Sequence, residues 1–171
     1  MFKHKRSMKT LRYNHEELDQ LTPASWCELC GRTALPVDVM HRWSDRLDWY
    51  LVSRYQRLSP EFIRRWADKL DWNALSLRAD LTESFMFEYR DKLNWFYITT
   101  FQSLSESFIS KMSDYVHWET ITLLSNLSDE FILAHLDRFN MRYIKSGYGE
   151  LWAKYDLDIY SALQSAVTQA H

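Results

Sequence analysis

The sequence predicts an all-α protein: an α-solenoid of five two-helix repeats, each of 23 residues, with a degenerate N-terminal cap repeat and a C-terminal capping helix. Three observations support this prediction. The 171 residues include only 3 Gly, which are too few φ > 0 turn residues for a hairpin-rich β fold. Tryptophan recurs every 23 residues at Trp49, Trp72, Trp95 and Trp118. Small polar residues stand where helix N-caps are needed in most copies.

Further columns share the 23-residue period, without insertion or deletion, over residues 35–149. An acidic column holds Asp45, Asp68, Asp91, Asp114 and Asp137. An apolar column of the first helix holds Val39, Phe62, Phe85, Phe108 and Phe131. An apolar column of the second helix holds Val52, Leu75, Ile98, Ile121 and Ile144. Because all of them keep the same phase, the period indicates a repeated structural unit.

The copy at 58–80 predicts the elements of one unit. Ser59 is an N-cap residue with Pro60 at the first helical position, and Phe62 and Trp66 follow at helical spacing. A second helix is expected to begin after Asp71. Helices of about ten and eight residues cannot each enclose a core, so only stacking of neighbouring copies would bury their apolar faces. We expect the acidic column to accept backbone N–H bonds at the turn between the helices.

The same period predicts the domain organisation. A basic flexible tail is expected over 1–12 and a helical repeat domain over 13–149, with the cap repeat at 13–34 and the full repeats at 35–149. Trp26 lies one period before Trp49, and Asn14 is a candidate helix cap. Residues 150–171 are predicted to form the C-terminal capping helix.

The repeat resembles a known class of sequences. Residues 104–122, LSESFISKMSDYVHWETIT, carry the pattern L-S-x-x-F-I, then D-x-x-D/N-W-x-x-I-S/T with His in the D/N position. This pattern is similar to the short helical repeats in proteins of large DNA viruses and some phages, and the resemblance covers about two thirds of the chain. It implies an α-helical repeat scaffold and a viral source, and it implies no catalytic activity.

Composition excludes several classes of function. The net charge of −2 is neither basic enough for a dedicated nucleic-acid binder nor acidic enough for a DNA mimic. The sequence contains no Gly-rich phosphate loop, catalytic motif, membrane span or signal peptide. We therefore expect a non-enzymatic protein without a cofactor, located in the cytoplasm, which is the host cell cytoplasm if the protein is viral.

One local motif suggests a metal. Cys27-x-x-Cys30 resembles half of a zinc knuckle or the opening of an HNH-type nuclease motif, and His15, His41 or His4 would have to complete the ligand set. A zinc-dependent nuclease-like protein is therefore a weaker alternative. The other interpretation is structural, because Cys30 falls in a column of small residues. That column continues as Ser53, Ser76, Thr99 and Thr122.

Function is expected at positions that vary between copies, since the columns are needed for packing. The predicted protein-binding residues are Arg42, Arg65, Phe87, Glu88, Phe96, Tyr97 and Lys111. Varied residues on a constant frame are typical of a protein-recognition surface, and the expected partner is a host protein such as a defence or nucleic-acid-processing factor. The alternative is that these aromatics pack on neighbouring repeats or on a dimer partner. The oligomeric state is left open.

A second hypothesis places nucleic acid at the N-terminal end. Its candidate residues are Lys3, Lys5, Arg6, Lys9 and Arg12, with Arg32, Arg42, Arg46 and Arg54 behind them. A short basic run of this kind could contact phosphates.

Overall fold

The computed structural model describes residues 9–78, 80–123 and 127–140. These residues are mostly helical, which confirms the all-α prediction. The chain divides into two compact units, residues 1–80 and 81–171.

The first unit contains the cap repeat and two full copies. Its elements are β1 (Lys9–Thr10), α1 (His15–Asp19), α2 (Pro23–Arg32), β2 (Thr33–Ala34), α3 (Val37–Arg42), α4 (Trp49–Tyr55), α5 (Pro60–Trp66) and α6 (Trp72–Ser76). The two short strands pair in parallel, with Lys9 opposite Thr33. The strand β1 thus falls within the stretch 1–12 that was predicted as a tail, of which residues 1–8 lie outside the described part of the chain.

The second unit continues the alternation of short helices. Its described elements are α7 (Glu83–Glu88), α8 (Trp95–Phe101), α9 (Glu106–Lys111), α10 (Trp118–Thr122) and α11 (Asp129–Ala134). The end of the fifth repeat and the predicted capping helix at 150–171 lie outside the described residues.

Side-chain caps begin the helices at the predicted places. Four hydroxyl side chains accept the backbone N–H three residues on, at Ser59, Thr82, Ser105 and Ser128. Asp48, Asp71 and Asn94 do the same for the second helices, and Asn14 caps α1. The full copies have first helices of 6 or 7 residues, shorter than predicted, because tight backbone turns follow them before the next cap.

The tryptophan column has a polar role that the sequence did not indicate. In each of the four copies the indole Nε1–H donates to the backbone carbonyl five residues earlier, at Ser44, Ala67, Arg90 and Ser113. These distances are 2.8–3.1 Å. The indole thus ties the start of the second helix to the turn behind it, which a phenylalanine could not do.

Neighbouring copies within each unit contact one another through their second helices. In the first unit α4 packs against both α2 and α6, and in the second α8 packs against α10. The tryptophan also stacks on the first helix of the next copy. The ring pairs are Trp49 with Phe62, Trp95 with Phe108, and Trp118 with Phe131.

Two polar contacts repeat between copies. The hydroxyls of Ser53 and Thr99 accept the backbone N–H of Asp71 and His117, the capping residues of the following copy. The carboxylates of Glu83 and Glu106 accept the backbone N–H of the next hydroxyl cap, Ser105 or Ser128. Each copy therefore satisfies backbone donors of its neighbour. A single five-copy solenoid across both units stays a prediction.

The acidic column binds different donors from those predicted. Asp45, Asp91 and Asp114 accept side-chain bonds from a residue 24 positions later, namely Lys69, Tyr115 and Arg138. The bond from Tyr115 raises the pKa of that phenol. The Asp45 and Asp114 side chains are 89% and 81% exposed, so their ion pairs contribute little to stability. They align neighbouring copies rather than cap a turn.

Candidate protein-binding surface

Exposed aromatic side chains recur at fixed positions of the second helix. Tyr50 and Phe96 occupy one column, two repeat lengths apart, and Tyr55 and Phe101 occupy another. Their exposed fractions are 49%, 51%, 47% and 54% in that order. Among the described residues, α4 of the first unit and α8 of the second therefore each present a pair of half-exposed rings.

On α8 the exposed side chains share one face. At 100° per residue, the exposed Phe96, Thr100 and Phe101 and the half-buried Tyr97 fall in a sector of about 140°, opposite the buried Trp95. The ring of Tyr97 lies 5.9 Å from that of Phe96 and 6.3 Å from that of Phe101. The three rings form a connected group, which we call the α8 aromatic patch.

The α8 aromatic patch lies in an uncharged stretch. Residues 93–105 contain no Asp, Glu, Lys, Arg or His, in a chain that is 26% charged. A solvated helix is ordinarily covered with charged side chains, whereas the centres of protein interfaces are depleted of them and enriched in aromatics. The composition of α8 is therefore that of an interface.

The pair on α4 differs in charge. The guanidinium of Arg54 lies 5.7 Å from the ring centre of Tyr55, and Arg57 is exposed just beyond the helix. Tyrosine and arginine are the side chains most often found at binding hot spots, together with tryptophan. Tyr55 and Phe101 were not among the predicted binding residues, although their shared column position would have identified them.

Among the predicted binding residues, Phe87 and Lys111 are brought together. The Phe87 ring, 38% exposed, has the Lys111 ammonium at 3.6 Å and the Arg90 guanidinium at 5.0 Å from its centre. Glu88 is exposed on the same helix, α7. Phe87, Glu88 and Lys111 belong to first helices, whereas Phe96 and Tyr97 lie on the second helix α8.

Arg42 and Arg65, the other two predicted binding residues, belong to the first unit. Both are exposed, and each guanidinium lies over the tryptophan that follows it, at 5.0 Å from Trp43 and 5.6 Å from Trp66. Arg42 also contacts His15, whose ring stacks on Tyr13. Their apolar stems and charges are therefore already in contact with aromatic surface.

Two of the arginines that were predicted, behind the tail, to bind nucleic acid already make polar contacts within the protein. Arg32 pairs with Glu28 at 3.0 Å, and Arg46 donates to the carbonyl of Asp19. Lys3, Lys5 and Arg6 lie outside the described residues, Lys9 is in β1, and Arg12 is exposed.

The two cysteines occupy different environments. Cys30 is fully buried, and burial raises its pKa to about 11, although the backbone of Asp48 partly offsets the rise by hydrogen bonding to the thiol. That contact matches the bond from Asp71 N–H to Ser53 one copy later. Cys27 is exposed, and its thiol lies 3.6 Å from the Asp48 carboxylate, with a pKa raised by desolvation and by that charge.

The other candidate metal ligands point elsewhere. His41 accepts the indole N–H of Trp66 at 2.9 Å, and His15 contacts Arg42. Over residues 9–78, 80–123 and 127–140, no group of three or more His, Cys, Asp or Glu side chains could hold a metal ion. Cys30 is buried and contacts a backbone N–H of the next copy, as Ser53 does one repeat later in the small-residue column.

We expect Cys30→Ser to change the free energy of unfolding by at most about 1 kcal/mol, because a serine hydroxyl accepts the Asp48 N–H as Ser53 accepts that of Asp71. Cys30→Ala differs from Cys30→Ser only by the hydroxyl that accepts this N–H, and should cost more. Urea denaturation of both variants measures this difference. Stoichiometric zinc in the wild-type protein that Cys30→Ser loses would contradict the structural interpretation.

Comparisons with known proteins identify no relative: no protein-family model, curated protein or solved structure matches the chain. In the part of the chain that the structure describes, no helix has the length and apolar character needed to cross a bilayer.

Proposed function

We propose that the protein is a non-enzymatic, protein-binding helical-repeat scaffold of viral or phage origin, which acts in the host cytoplasm by holding or blocking a host protein. A defence factor or a nucleic-acid-processing factor is the expected kind of partner. The observation that carries the proposal is the recurrence of half-exposed aromatic rings in two columns of the second helix, at Tyr50, Tyr55, Phe96 and Phe101.

The repeat frame covers these four rings only in part, although Phe96 meets the His117 ring of the next copy edge-on. Packing residues such as Trp49, Trp95 and Ser53 contact a neighbouring copy, whereas the four rings leave about half of their surface in water. A buried aromatic contributes roughly 150–250 Å² of contact area, and such residues dominate binding energy when a partner covers them. A partner surface is the simplest use for rings kept exposed on a constant frame.

Charge favours protein over nucleic acid as the partner. Phosphate recognition depends on several available cations, and its affinity falls steeply with salt. The α8 aromatic patch carries none, and Arg32 and Arg46 are already engaged with Glu28 and Asp19. Nucleic-acid binding by the N-terminal basic run remains the alternative, and a direct binding test must distinguish it from protein binding.

The test is quantitative capture of host proteins on the full chain, comparing wild type with Tyr50→Ser/Tyr55→Ser and with Phe96→Ser/Phe101→Ser. We expect a stoichiometric protein that at least one pair of substitutions weakens by about tenfold or more, without loss of helical content. Arg64→Ser, an exposed change on a first helix, is the matched control and should bind as wild type.

Two outcomes would count against the proposal. In the first, no stoichiometric host protein binds, or its binding is indifferent to all four aromatics. In the second, the chain retains nucleic acid in a salt-dependent way that replacement of Lys3, Lys5, Arg6, Lys9 and Arg12 by Ser abolishes, which is the signature of phosphate contacts.

A further inference from the structure

The α8 aromatic patch has no Asp, Glu, Lys or Arg on its own helix, although the His117 ring meets Phe96 edge-on at 5.4 Å and Glu119 is exposed on the neighbouring α10. The α4 pair has Arg54 and Arg57 beside it, and Phe87 is flanked by Arg90 and Lys111. Around Phe96, Tyr97 and Phe101, by contrast, the chain is uncharged from residue 93 to residue 105. This difference restricts what can cover the patch.

In a two-fold symmetric interface a surface meets itself, so each side chain near the axis approaches its own counterpart. A charge at that place would repel its copy, whereas aromatic rings and hydroxyls are compatible with themselves. The α4 pair fails this condition because Arg54 and Arg57 would face like charges. The side chains that α8 itself contributes to the patch meet it, because none of them is charged.

We propose that the α8 aromatic patch is a homodimer interface, in which α8 packs antiparallel against α8 of a second copy of this chain. Phe96 and Phe101 are the outer anchors, and Thr100 and Tyr97 lie between them, next to the two-fold axis. The proposal rests on the proposed function in one respect, that the exposed aromatics are contact residues. It assigns the α8 pair to self-association and leaves the α4 pair for the host partner.

Thr100 provides the sharpest test. Thr100 is exposed and lies near the middle of the patch, whose residues span about 140° around the helix at about 100° per residue. Its hydroxyl donates only within its own helix, to the carbonyl of Phe96. Thr100→Glu places two carboxylates near the axis, and Thr100→Lys places two ammonium groups there. Each variant should therefore be monomeric, while an equimolar mixture should form a heterodimer by pairing opposite charges.

The experiment is sedimentation equilibrium of the full chain at low salt, from micromolar to submillimolar concentration. For wild type we expect the mass to rise from 20.7 kDa towards twice that value. Each Thr100 variant and Phe96→Ser/Phe101→Ser should weaken dimerisation by about tenfold or more, and the Glu–Lys mixture should restore it. Tyr50→Ser/Tyr55→Ser, altered in the equivalent columns of α4, should dimerise as wild type. Far-UV circular dichroism confirms that each variant is folded.

Three results would overturn the proposal: a wild-type chain that stays monomeric throughout, a dimer that the α8 substitutions leave intact, or a Glu–Lys mixture that remains monomeric. Failure here is separable from failure of the proposed function. A monomer that still captures a host protein through Phe96 and Phe101 refutes the dimer alone, and a dimer that captures nothing refutes the scaffold function alone.

Discussion

Trp95→Ala is expected to lower the free energy of unfolding by about 4 kcal/mol. The Trp95 side chain is 9% exposed and lies 6.3 Å from the Phe108 ring and 5.5 Å from the Tyr115 ring, both in the next copy. Truncation leaves a cavity between two copies and an unpaired carbonyl at Arg90. Urea denaturation followed by far-UV circular dichroism measures the loss.

Trp95→Phe separates the two contributions of this side chain. Phenylalanine keeps most of the ring packing but lacks the donor to Arg90, so we expect a loss of about 1 kcal/mol. Phe96→Ser, one residue away on the exposed face, should be close to wild type in stability. If Trp95→Ala were no more destabilising than Phe96→Ser, the tryptophan column would not hold neighbouring copies together.

Gln56→Ala is expected to cost roughly 3 kcal/mol, because it strands several buried backbone groups in the first unit. The Gln56 side chain is 1% exposed. Its Oε1 accepts the Leu35 N–H at 2.9 Å, and its Nε2 donates to the carbonyls of Cys30 and Thr33 at 2.7 and 2.9 Å. These three backbone groups lie where the cap repeat meets the first full copy. The Gln56 amide therefore satisfies the backbone hydrogen bonds at that boundary.

The matched variant is Gln56→Met, which preserves length and volume but makes none of these bonds. We expect it to be nearly as destabilising as Gln56→Ala in thermal and urea unfolding, while the exposed neighbour change Arg57→Ala should fall within about 0.5 kcal/mol of wild type. A Gln56→Met protein with wild-type stability would show that packing, rather than the hydrogen bonds, is what this position supplies.

The sequence was sufficient for the elements because their signals are local. Ser59 with Pro60 begins α5, and Asp71 begins α6, through bonds that span three residues. Contacts between copies depend on how far one copy is displaced from the next, which no local pattern encodes. The pairing of Asp45 with Lys69 and the reach of Gln56 to Cys30 therefore became apparent only in three dimensions.

Only part of the candidate surface was predicted from the sequence, and the reason is related. Phe96 follows the buried Trp95 directly, and the second helices have only 5 to 7 residues, so hydrophobicity alone does not define which face is exposed. Phe96 and Tyr97 were selected because they vary between copies. Phe101 and Tyr55 occupy a column that varies in the same way, with Arg78 between them, and they were missed because nothing local shows whether a ring at the end of so short a helix is exposed or packs on a neighbouring copy.

The central claim is that packing columns build the frame while the exposed rings bind. The most direct measurement is host-protein capture by the full chain carrying Tyr50→Ser, Tyr55→Ser, Phe96→Ser and Phe101→Ser together, with its urea unfolding curve recorded in parallel. We predict loss of the captured partner and a stability within about 1 kcal/mol of wild type, as expected for surface changes. A quadruple variant that keeps the partner, or one that unfolds as readily as Trp95→Ala, would contradict this account.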